Sequence, residues 1–415
     1  MKTSSFTACA ESEYSLILRL MEGNIKKKDV VKILLVTDLS SGYGRGLLNG
    51  LVSYAQSQKG WAFYRMPLYY RMMHGDKEII RWAKKWDVDA IVAQMNDIDV
   101  KMLSEMNIPI IVQNYKDRIP GVCNLTGDYI GTGRMAADHF LNLGYRSFAY
   151  YGIHESVWSR ERLEGYRSRL AETGLTVDTY LEPSGSESWN QDFDAIGRWL
   201  LSLPENTAVF CCDDYYALHV TETCKIFDIA VPDTLAILGV DNDEMLCNIS
   251  NPPLSSIVID ARNGGYEAGA VIGKLIDGEI TEPVNIRVPP LRVVSRGSTE
   301  KYASKDRYVQ KVIEYVWRNF GSLSGVEELL ELVPLSRRMF EKRFKKETGT
   351  TIYQFLQNYR IDRFAEMLVS SDLPVEDIAI SCGFADGKNV SRVFHARKGM
   401  TPSEFRRKKG DLSSF

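Results

Sequence analysis

Carboxylates, guanidinium groups and aromatic rings stand close to the ends of several short apolar runs in the first 300 residues of the chain. A carboxylate or a guanidinium group can bond two neighbouring hydroxyls, and an aromatic ring can stack against a sugar ring. These residue types therefore favour a neutral, polyhydroxylated ligand. The predicted ligand-binding residues are Tyr43, Arg45, Asp128, Trp158, Arg162, Asp213 and Asp241.

Each of these positions has an alternative interpretation. An aspartate directly after a strand often caps the following helix, and capping is the favoured role for Asp214 and Asn242. Arg162 has glutamates nearby in the sequence for a surface ion pair, and Tyr43 lies in a glycine-rich loop where simple solvent exposure is the alternative. The sequence leaves both interpretations open.

One motif points to a different chemistry. The stretch "GTGRMA", with Gly131, Gly133 and Ala136, matches the glycine pattern of a dinucleotide-binding turn, and Glu155 follows at the distance of a ribose-binding acid. Such a turn normally opens its fold, whereas here residues 31–130 precede it. A nucleotide-dependent enzyme is therefore a minor alternative. Since no Ser-His-Asp arrangement, P-loop or HExxH motif is present, the sequence predicts no enzyme activity, no cofactor and no metal.

The last quarter of the chain carries a different set of charges. Residues 301–415 hold 21 Lys and Arg against 15 Asp and Glu, a balance of +6, whereas residues 1–300 hold 30 against 39, a balance of −9. Clustered cations on one segment indicate a polyanionic partner such as double-stranded DNA. The alternative is a small helical bundle with a basic, solvated face.

Short apolar runs of strand length alternate with segments of helical spacing between residues 31 and 297. Runs such as "VKILLV" and "AVFCC" are apolar at every position, as expected when helices cover both faces of a parallel sheet. The predicted fold of this region is α/β and doubly wound. In such sheets ligands bind beyond the carboxyl ends of the strands, where the predicted ligand-binding residues stand.

The apolar spacing becomes helical throughout after residue 306. Two segments, beginning "GVEELLELVPLSRR" and "PVEDIAISCGFADG", each predict a short helix, a turn and a basic amphipathic helix, and "YRIDRFAEMLVSS" predicts a helix between them. In the first unit, Met339, Phe340 and Phe344 are the predicted inner face. The tail is therefore predicted to be an all-α domain with two helix-turn-helix units.

The second helix of a helix-turn-helix enters the major groove, where Arg and Lys read guanine and Asn reads adenine. Arg337, Arg338, Lys388, Asn389 and Arg392 are the predicted groove contacts. Further predicted DNA contacts, most of them to phosphates, are Ser336, Lys342, Lys345, Lys346, Lys398 and Arg406.

The composition of the chain, with 44% hydrophobic and 25% charged residues among 415, is typical of a globular protein of two or three domains. The N-terminal run "YSLILRLM" is interrupted by Arg19, so neither a signal peptide nor a membrane span is predicted. Seven cysteines at irregular spacings argue against a disulfide framework and favour a reduced, cytoplasmic protein. The adjacent Cys211 and Cys212 are predicted to lie in a buried strand.

The first region resembles a known family. The blocks "GDYIGTGRMAADHFLNLGYRSFAYYG", "RLEGYRSRL", "AVFCCDDYYALHVTETCKIFDIAVPDTLAILGVDN" and "NPPLSSIVID" resemble successive signatures of the LacI-type, periplasmic-binding-protein-like effector domain. The resemblance implies two α/β lobes joined by three crossing strands, with a sugar or a purine in the cleft between them. By position it implies that Arg162, Asp213 and Asp241 face the cleft. Asp213 stands where the family often has Asn.

The tail resembles the DNA-binding domain of the AraC/XylS family over its full length. Its linker helix matches R-x-x-x-A-x-x-L from Arg360 to Leu368, with Phe364 and Ala365 at the alanine position. The turn of the second unit matches I-A-x-x-x-G-F from Ile378 to Phe384, and the end of the tail matches G-x-T-P-x-E-[FY]-R. These motifs are the most specific signal in the chain. Two departures are Pro334 in the turn of the first unit and His395 where Lys is common.

A LacI-type effector domain in front of an AraC-type reader resembles the family of xylose-responsive regulators. The resemblance implies a homodimer that binds an operator, works with RNA polymerase, and activates sugar-utilisation genes when a pentose such as xylose occupies the cleft. A hexose or a purine is the alternative effector.

The predicted domain boundaries follow from these patterns. Residues 1–30 form an N-terminal extension, residues 298–305 a linker, and residues 306–410 the DNA-binding domain. The effector domain spans residues 31–297, with one lobe formed by 31–145 and 258–285 and the other by 146–257 and 286–297.

Overall fold

A computed structural model describes residues 30–58, 60–95, 106–182, 193–300, 304, 306–371, 373–384 and 387–410. All but the last residue of the predicted N-terminal extension lies outside these ranges. None of the helices within them is long and apolar enough to cross a membrane.

The region before residue 300 consists of alternating strands and helices. Its strands are β1 (Val31–Val36), β2 (Trp61–Arg65), β3 (Ala90–Met95), β4 (Ile110–Asn114), β5 (Cys123–Gly127), β6 (Ser147–Ile153), β7 (Val177–Glu182), β8 (Thr207–Cys211), β9 (Leu235–Val240), β10 (Ser255–Ile259), β11 (Asn285–Val288) and β12 (Pro290–Val294). Its helices are α1 (Gly42–Ser57), α2 (Leu68–His74), α3 (Lys77–Trp86), α4 (Tyr129–Asn142), α5 (Val157–Ala171), α6 (Phe193–Ser202), α7 (Asp214–Ile226), α8 (Glu244–Ile249) and α9 (Ala261–Ile276).

These strands form two six-stranded sheets, each the centre of one lobe. The first sheet has the order β11-β5-β4-β3-β1-β2 and the second β12-β10-β9-β8-β6-β7. All pairings are parallel except that of β10 with β12. Strands β8 and β9 are buried at every position, because helices cover both of their faces. The structure confirms the predicted doubly wound α/β fold.

The chain crosses between the two lobes three times, as the family resemblance implied. The crossings lie near Asp128, near Asp260 and at Pro289, and backbone hydrogen bonds tie them together: the Asp128 amide donates to the Val288 carbonyl at 2.8 Å, and the Asp260 amide to the Pro289 carbonyl at 3.0 Å. The first crossing comes well before the predicted boundary at residue 145. Helix α4 belongs to the second lobe because its Phe140 packs into the core of that lobe.

The end of the effector region also differs from the predicted boundaries. Strand β11 continues its pairing with β5 to Val288, so the last crossing lies a few residues after the predicted position at 285. Ser298 and Thr299, which were assigned to the linker, are buried against the second lobe. The Ser298 hydroxyl donates to the Ile237 carbonyl at 2.7 Å. The packed part of the region therefore continues to Thr299.

The tail is entirely helical within the described residues. Its helices are α10 (Arg307–Asn319), α11 (Val326–Glu331), α12 (Arg337–Thr348), α13 (Ile352–Ser370), α14 (Val375–Ser381), α15 (Gly387–Lys398) and α16 (Pro402–Gly410). Two apolar clusters hold them, one around Phe340 and Phe344 and the other around Phe364 and Phe394. The prediction that Met339 lies on the inner face of the first unit is wrong, since Met339 is 50% exposed.

The cysteines within the described ranges are free thiols, and all are buried. They are Cys123, Cys211, Cys212, Cys224, Cys247 and Cys382. The strand prediction for the adjacent pair holds for Cys211, which is the last residue of β8.

Candidate functional site

Arg162 lies at the centre of a polar cluster between the two lobes. Helix α5 presents it toward the first lobe, and only 4% of the residue is exposed. Its guanidinium carbon lies 5.6 Å from the ring centroid of Tyr129 and 5.5 Å from that of Trp158, so the two rings flank the cation. Its Nη2 lies 3.5 Å from Oδ1 of Asp241. The alternative of a surface ion pair with a neighbouring glutamate is therefore wrong.

Two aspartates of the second lobe share this cluster. Asp213 accepts a hydrogen bond from the Tyr216 amide at 2.9 Å and so caps α7. Burial, reinforced by the charge of Asp241, raises the pKa of Asp213 to about 7. Burial also raises the pKa of Asp241, while Arg162 opposes that shift. The site therefore holds two coupled carboxyl groups beside one cation.

The backbone at Asp241 adopts a conformation that is unusual for a residue with a side chain. Its φ is +99°, and the following Asn242 has a φ of +50°. Such positive values cost free energy and persist where the surrounding structure requires them. Asn242 is held from both sides: its amide donates to Ser256 at 2.9 Å, and its side chain accepts from Arg296 at 2.8 Å.

The first lobe contributes the opposite wall. The Tyr43 hydroxyl is buried and makes no hydrogen bond of normal geometry among the described residues, although the Gln113 side chain lies close enough to lower its pKa. Burial is the main cause that raises the pKa of Tyr43 well above its usual value, with Tyr129 and Asp241 contributing. Tyr115, at the end of β4, has its pKa raised by burial and by the same neighbouring groups. The alternative of a solvent-exposed Tyr43 is wrong.

Four polar side-chain atoms around this cluster are buried without a partner in the described part of the chain. They are the hydroxyl oxygens of Thr37 and Tyr43, Oδ1 of Asn114 and Nε of Arg162. Buried polar atoms are nearly always hydrogen-bonded, because an unpaired one costs about 1–3 kcal/mol. The set contains an obligate acceptor, an obligate donor and two hydroxyls that can do either. Their complement is a ligand with hydroxyl groups.

Two predicted ligand-binding residues have other partners. Asp128 caps α4 through the Gly131 amide at 3.0 Å and pairs with Arg287, so it belongs to the crossing segments. Arg45 donates to Asp243 of the other lobe at 3.1 Å. The structure thus brings Tyr43, Trp158, Arg162, Asp213 and Asp241 together, whereas the partners of Asp128 and Arg45 include Gly131, Arg287 and Asp243.

The helix caps of the second lobe are one residue away from the predicted ones. Asp213 caps α7 and Asp243 caps α8, whereas Asp214 and Asn242 cap neither helix. Asp214 is buried and accepts from the Asp243 amide at 2.7 Å and from the Ser256 hydroxyl. It thereby supports the loop that carries Asp241.

Direct contacts join the two lobes on both sides of the polar cluster. On one side Asp243 accepts from the Gly42 amide at 2.6 Å and from Arg45. On the other, the start of α5 docks on the loop after β4: the Val157 amide donates to the Tyr115 carbonyl at 2.8 Å. Two ion pairs, Arg160 with Asp117 at 2.9 Å and Arg118 with Glu161 at 2.5 Å, extend this second contact.

The glycine motif "GTGRMA" packs two helices together. A Cβ at Gly133 would lie 2.0 Å from the Arg162 carbonyl, and one at Gly165 would lie 2.1 Å from the Ile130 carbonyl. The helices α4 and α5 can cross this closely only because both positions are glycine. The Gly131 amide, which would face a phosphate, already donates to Asp128. The motif therefore serves packing around Arg162.

The first helix-turn-helix unit presents a basic face. Ser336 precedes α12, and Arg338, Lys342 and Lys345 are exposed and repeat at i, i+4 and i+7 along it. The predicted contacts Arg337 and Lys346 are also exposed. Arg337 additionally pairs with Glu341 at 2.9 Å and with Glu327 at 3.2 Å, so a DNA contact by this side chain has to compete with those partners.

The second unit supplies fewer of the predicted cations. Arg392 is exposed on α15, and Lys388 and Asn389 lie in the first turn of that helix, with their side chains outside the described set. Lys398 pairs with Asp362 at 2.9 Å. Arg406 donates to the Leu368 carbonyl at 3.1 Å and to a second carbonyl beyond it, so it caps the end of α13. Its predicted phosphate contact competes with this structural role.

Several residues of the cleft were not predicted. Gln113 and Asn114 end β4, the strand "IIVQN", so the rule that places ligands at strand ends applied to them as well. Tyr129 adjoins Asp128 in the motif that was already singled out. Asp243 stands in the same loop after β9 as Asp241, so the rule applied to it too, but no local pattern indicates its partner Arg45, which lies 198 residues away in the sequence.

Comparison with known proteins identifies both regions. Residues 137–299 match a periplasmic binding protein-like domain, and residues 329–408 match a helix-turn-helix domain. The xylose operon regulatory protein of Escherichia coli K12 is 28% identical over 386 residues, which cover 90% of this chain and 96% of that protein. The corresponding protein of Haemophilus influenzae is also 28% identical, over 90% of this chain and 98% of its own length.

A solved structure supports the same assignment over nearly the whole length. The structure of the xylose-binding transcription activator xylR is similar with a TM-score of 0.58 and 26% identity, covering 92% of this chain and 99% of that one. These relatives are transcription regulators. The chain is similar to them over nearly its whole length, and it combines a periplasmic binding protein-like domain with a helix-turn-helix domain in its last quarter.

Proposed function

We propose that the chain activates sugar-utilisation genes by binding an operator with its tail when a pentose, with D-xylose as the first candidate, occupies the cleft between the lobes. The relatives from Escherichia coli and Haemophilus influenzae bear the name xylose operon regulatory protein, and the similar solved structure is that of a xylose-binding activator. The chain acts by binding and not by catalysis. It works in the cytoplasm, where its operator lies.

The four buried, unpartnered polar atoms carry the ligand assignment. Asn114 Oδ1 requires a donor and Arg162 Nε requires an acceptor, while the hydroxyls of Thr37 and Tyr43 accept either. A sugar hydroxyl is donor and acceptor at once, so one neutral polyol satisfies all four. An anionic ligand offers no donor to Asn114 and would stand beside Asp213 and Asp241. Trp158 adds an aromatic face for the ring.

The signal is a shift between conformations. Thr37, Tyr43 and Asn114 belong to the first lobe and Arg162 to the second, so a ligand bound to all of them favours the closed arrangement by its differential affinity. The direct lobe contacts made by Asp243 already stabilise that arrangement. A preference of about 100-fold for the closed state makes at most about 2.7 kcal/mol available for coupling to operator binding.

The tail reads the operator through α12 and α15. The exposed cations Arg338, Lys342 and Lys345 face solvent on one side of α12, as a helix that enters the major groove requires. A homodimer places two such tails on one operator and presents the complex to RNA polymerase. Met245 and Ile249, 71% and 66% exposed and one turn apart on α8, are an apolar surface available for pairing.

Thermal unfolding of the full chain with single ligands tests the effector class. A ligand that binds only the folded state raises Tm by mass action. We expect D-xylose to raise the Tm of the effector region, with L-arabinose, D-ribose and D-glucose giving smaller shifts. A shift with guanine or NAD and none with any sugar would contradict the proposal.

Tyr43→Phe is the sharper variant, because it removes only the unpartnered hydroxyl. We expect the sugar affinity measured by calorimetry to fall by about tenfold, since a buried hydrogen bond contributes about 1 kcal/mol or more, while the Tm of the ligand-free protein stays the same or rises. Tyr353→Phe is the matched control, since Tyr353 lies in the tail and is 62% exposed. Equal sugar affinities for wild type and Tyr43→Phe would remove Tyr43 from the site.

A further inference from the structure

Arg360 lies at a junction between the two helix-turn-helix units. It belongs to α13, the helix that connects them, and is 6% exposed. Its Nε donates to the Phe320 carbonyl at 2.9 Å and its Nη2 to the Leu323 carbonyl at 2.6 Å. Phe320 is the C-cap of α10, so the guanidinium binds the end of a helix of the first unit, where a cation is favoured.

The same guanidinium touches the turn of the second unit. A Cβ at Gly383 would lie 2.7 Å from Nη2 of Arg360 and 2.8 Å from the Phe320 carbonyl oxygen. Gly383 has a φ of +78°, which a residue with a side chain rarely adopts. The turn of the second unit therefore rests directly on Arg360 and on the carbonyl that Arg360 holds.

Two further contacts join the units at this place. A Cβ at Gly321 would lie 2.3 Å from the Ser381 carbonyl oxygen, so the loop after α10 abuts the end of α14. The Phe320 side chain packs against the apolar clusters of both units. The buried side chain of Arg360 thus contacts the first unit and the second unit from the connecting helix and holds all three in one arrangement.

We propose that Arg360 is a positioning residue that fixes the distance and rotation between the two reading helices and thereby sets the operator spacing that the protein accepts. The proposal rests on the proposed reading of DNA by α12 and α15. With Arg360 in place, the two helices present their side chains as one rigid unit. Without it, α13 and the contacts of Gly321 and Phe320 still join the units, but the hydrogen bonds that tie α13 to the end of α10 are lost and the relative rotation of the units is less restricted.

The test measures spacing selectivity of the full chain. A duplex is selected from a randomised pool by the wild-type protein, and the two blocks contacted by one protomer are mapped by hydroxyl-radical footprinting. One base pair is then inserted between the blocks, which displaces the second block by about 3.4 Å and rotates it by about 35°. The readout is the ratio of the Kd values for the inserted and the original duplex.

We expect a ratio of at least about ten for the wild type and below about three for Arg360→Met, because the units no longer keep one relative orientation. Arg360→Lys, which keeps the charge and can bond one carbonyl, is expected to give an intermediate ratio. Arg343→Met is the matched control. It also removes a guanidinium of the tail, but this one pairs with Asp306 at 3.5 Å within the first unit alone, so its ratio should stay at the wild-type value.

Each outcome decides the proposal. An Arg360→Met protein that binds DNA with the wild-type ratio contradicts it, as does a reduced ratio for Arg343→Met equal to that for Arg360→Met. If Arg360→Met does not fold, the ratio of Arg360→Lys decides in its place, and a wild-type value overturns the proposal. A wild-type protein that selects no duplex at all contradicts the proposed function instead.

Discussion

The effector cleft and the tail use the same residue types in opposite environments. Arg162 is buried between two aromatic rings and paired with Asp241, whereas Arg338 and Lys342 of α12 are exposed. A buried charge loses hydration that only a defined set of partners can replace, while an exposed cation interacts with any phosphate and is screened by salt. The difference places small-molecule specificity in the cleft and salt-sensitive attachment in the tail.

The largest expected effect comes from Arg162. Arg162→Met leaves two partly buried carboxyl groups without their cation, and the cost of about 3–5 kcal/mol for breaking a fully buried pair is the upper bound here. We expect the free energy of unfolding of the effector region to fall by that order and sugar affinity to fall by at least about 100-fold. Denaturant unfolding and calorimetry measure the two quantities.

The control for that variant lies on the same helix. Arg167, five residues along α5, is exposed and bonds Thr179. Arg167→Met should change stability and sugar affinity little. If both variants lost the same affinity, the buried environment of Arg162 would not be the cause, and the contrast between cleft and tail would fail.

We expect an intermediate loss of DNA affinity when exposed cations of the tail are replaced, and the pattern of that loss distinguishes base contacts from phosphate contacts. Arg392→Ala should cost about 1–3 kcal/mol at one base pair and relax the preference there. Lys346→Ala should weaken binding to every duplex alike and reduce the salt slope by about one. Binding to a panel of operator variants at several salt concentrations measures both. A uniform loss for Arg392→Ala would remove its base-reading role.

The smallest effect concerns the pKa of Asp213, about 7 in the folded protein against about 3.9 in an unfolded chain. The raised value means that the folded state binds more protons near neutral pH, so this group makes the protein less stable as pH rises through 7. Between pH 6 and pH 8 the loss is on the order of 1 kcal/mol.

Asp213→Asn removes this titration, so the stability of wild type relative to the variant should fall by that amount over the same interval. Thermal unfolding of both proteins at several pH values measures the difference. The nearby groups that could mask it are Arg162, which stays charged, and Asp241, whose pKa is also raised. A constant difference between the two proteins across this range would show that Asp213 does not titrate there.

Much of the architecture could be predicted because it depends on local patterns. Runs such as "AVFCC" and "LAILGV" are apolar at every position, which indicates a covered parallel sheet, and the rule for strand ends located Asp213 and Asp241. The two helix-turn-helix units followed from apolar spacing and from Gly383 in the turn. Motif order extended both predictions to the domain arrangement.

The remaining features depend on contacts between distant parts of the chain. Asp128 pairs with Arg287 across 159 residues and Arg45 with Asp243 across 198, and no local pattern indicates either pair. The helix caps were displaced by one residue because an aspartate at either of two adjacent positions can supply the oxygen. Lys398 and Arg406 have cationic side chains at plausible positions, but their partners belong to the fold.

Ser298 and Thr299 are the last packed residues described before the tail, and they attach the tail to the second lobe. Both are buried in the second lobe, where the Ser298 amide donates to the Pro253 carbonyl at 3.0 Å. The residues that precede the tail are therefore packed in the lobe that carries Arg162, Asp213 and Asp241. In the proposed mechanism, a sugar that closes the cleft rotates the second lobe relative to the first, and Thr299 moves with the second lobe.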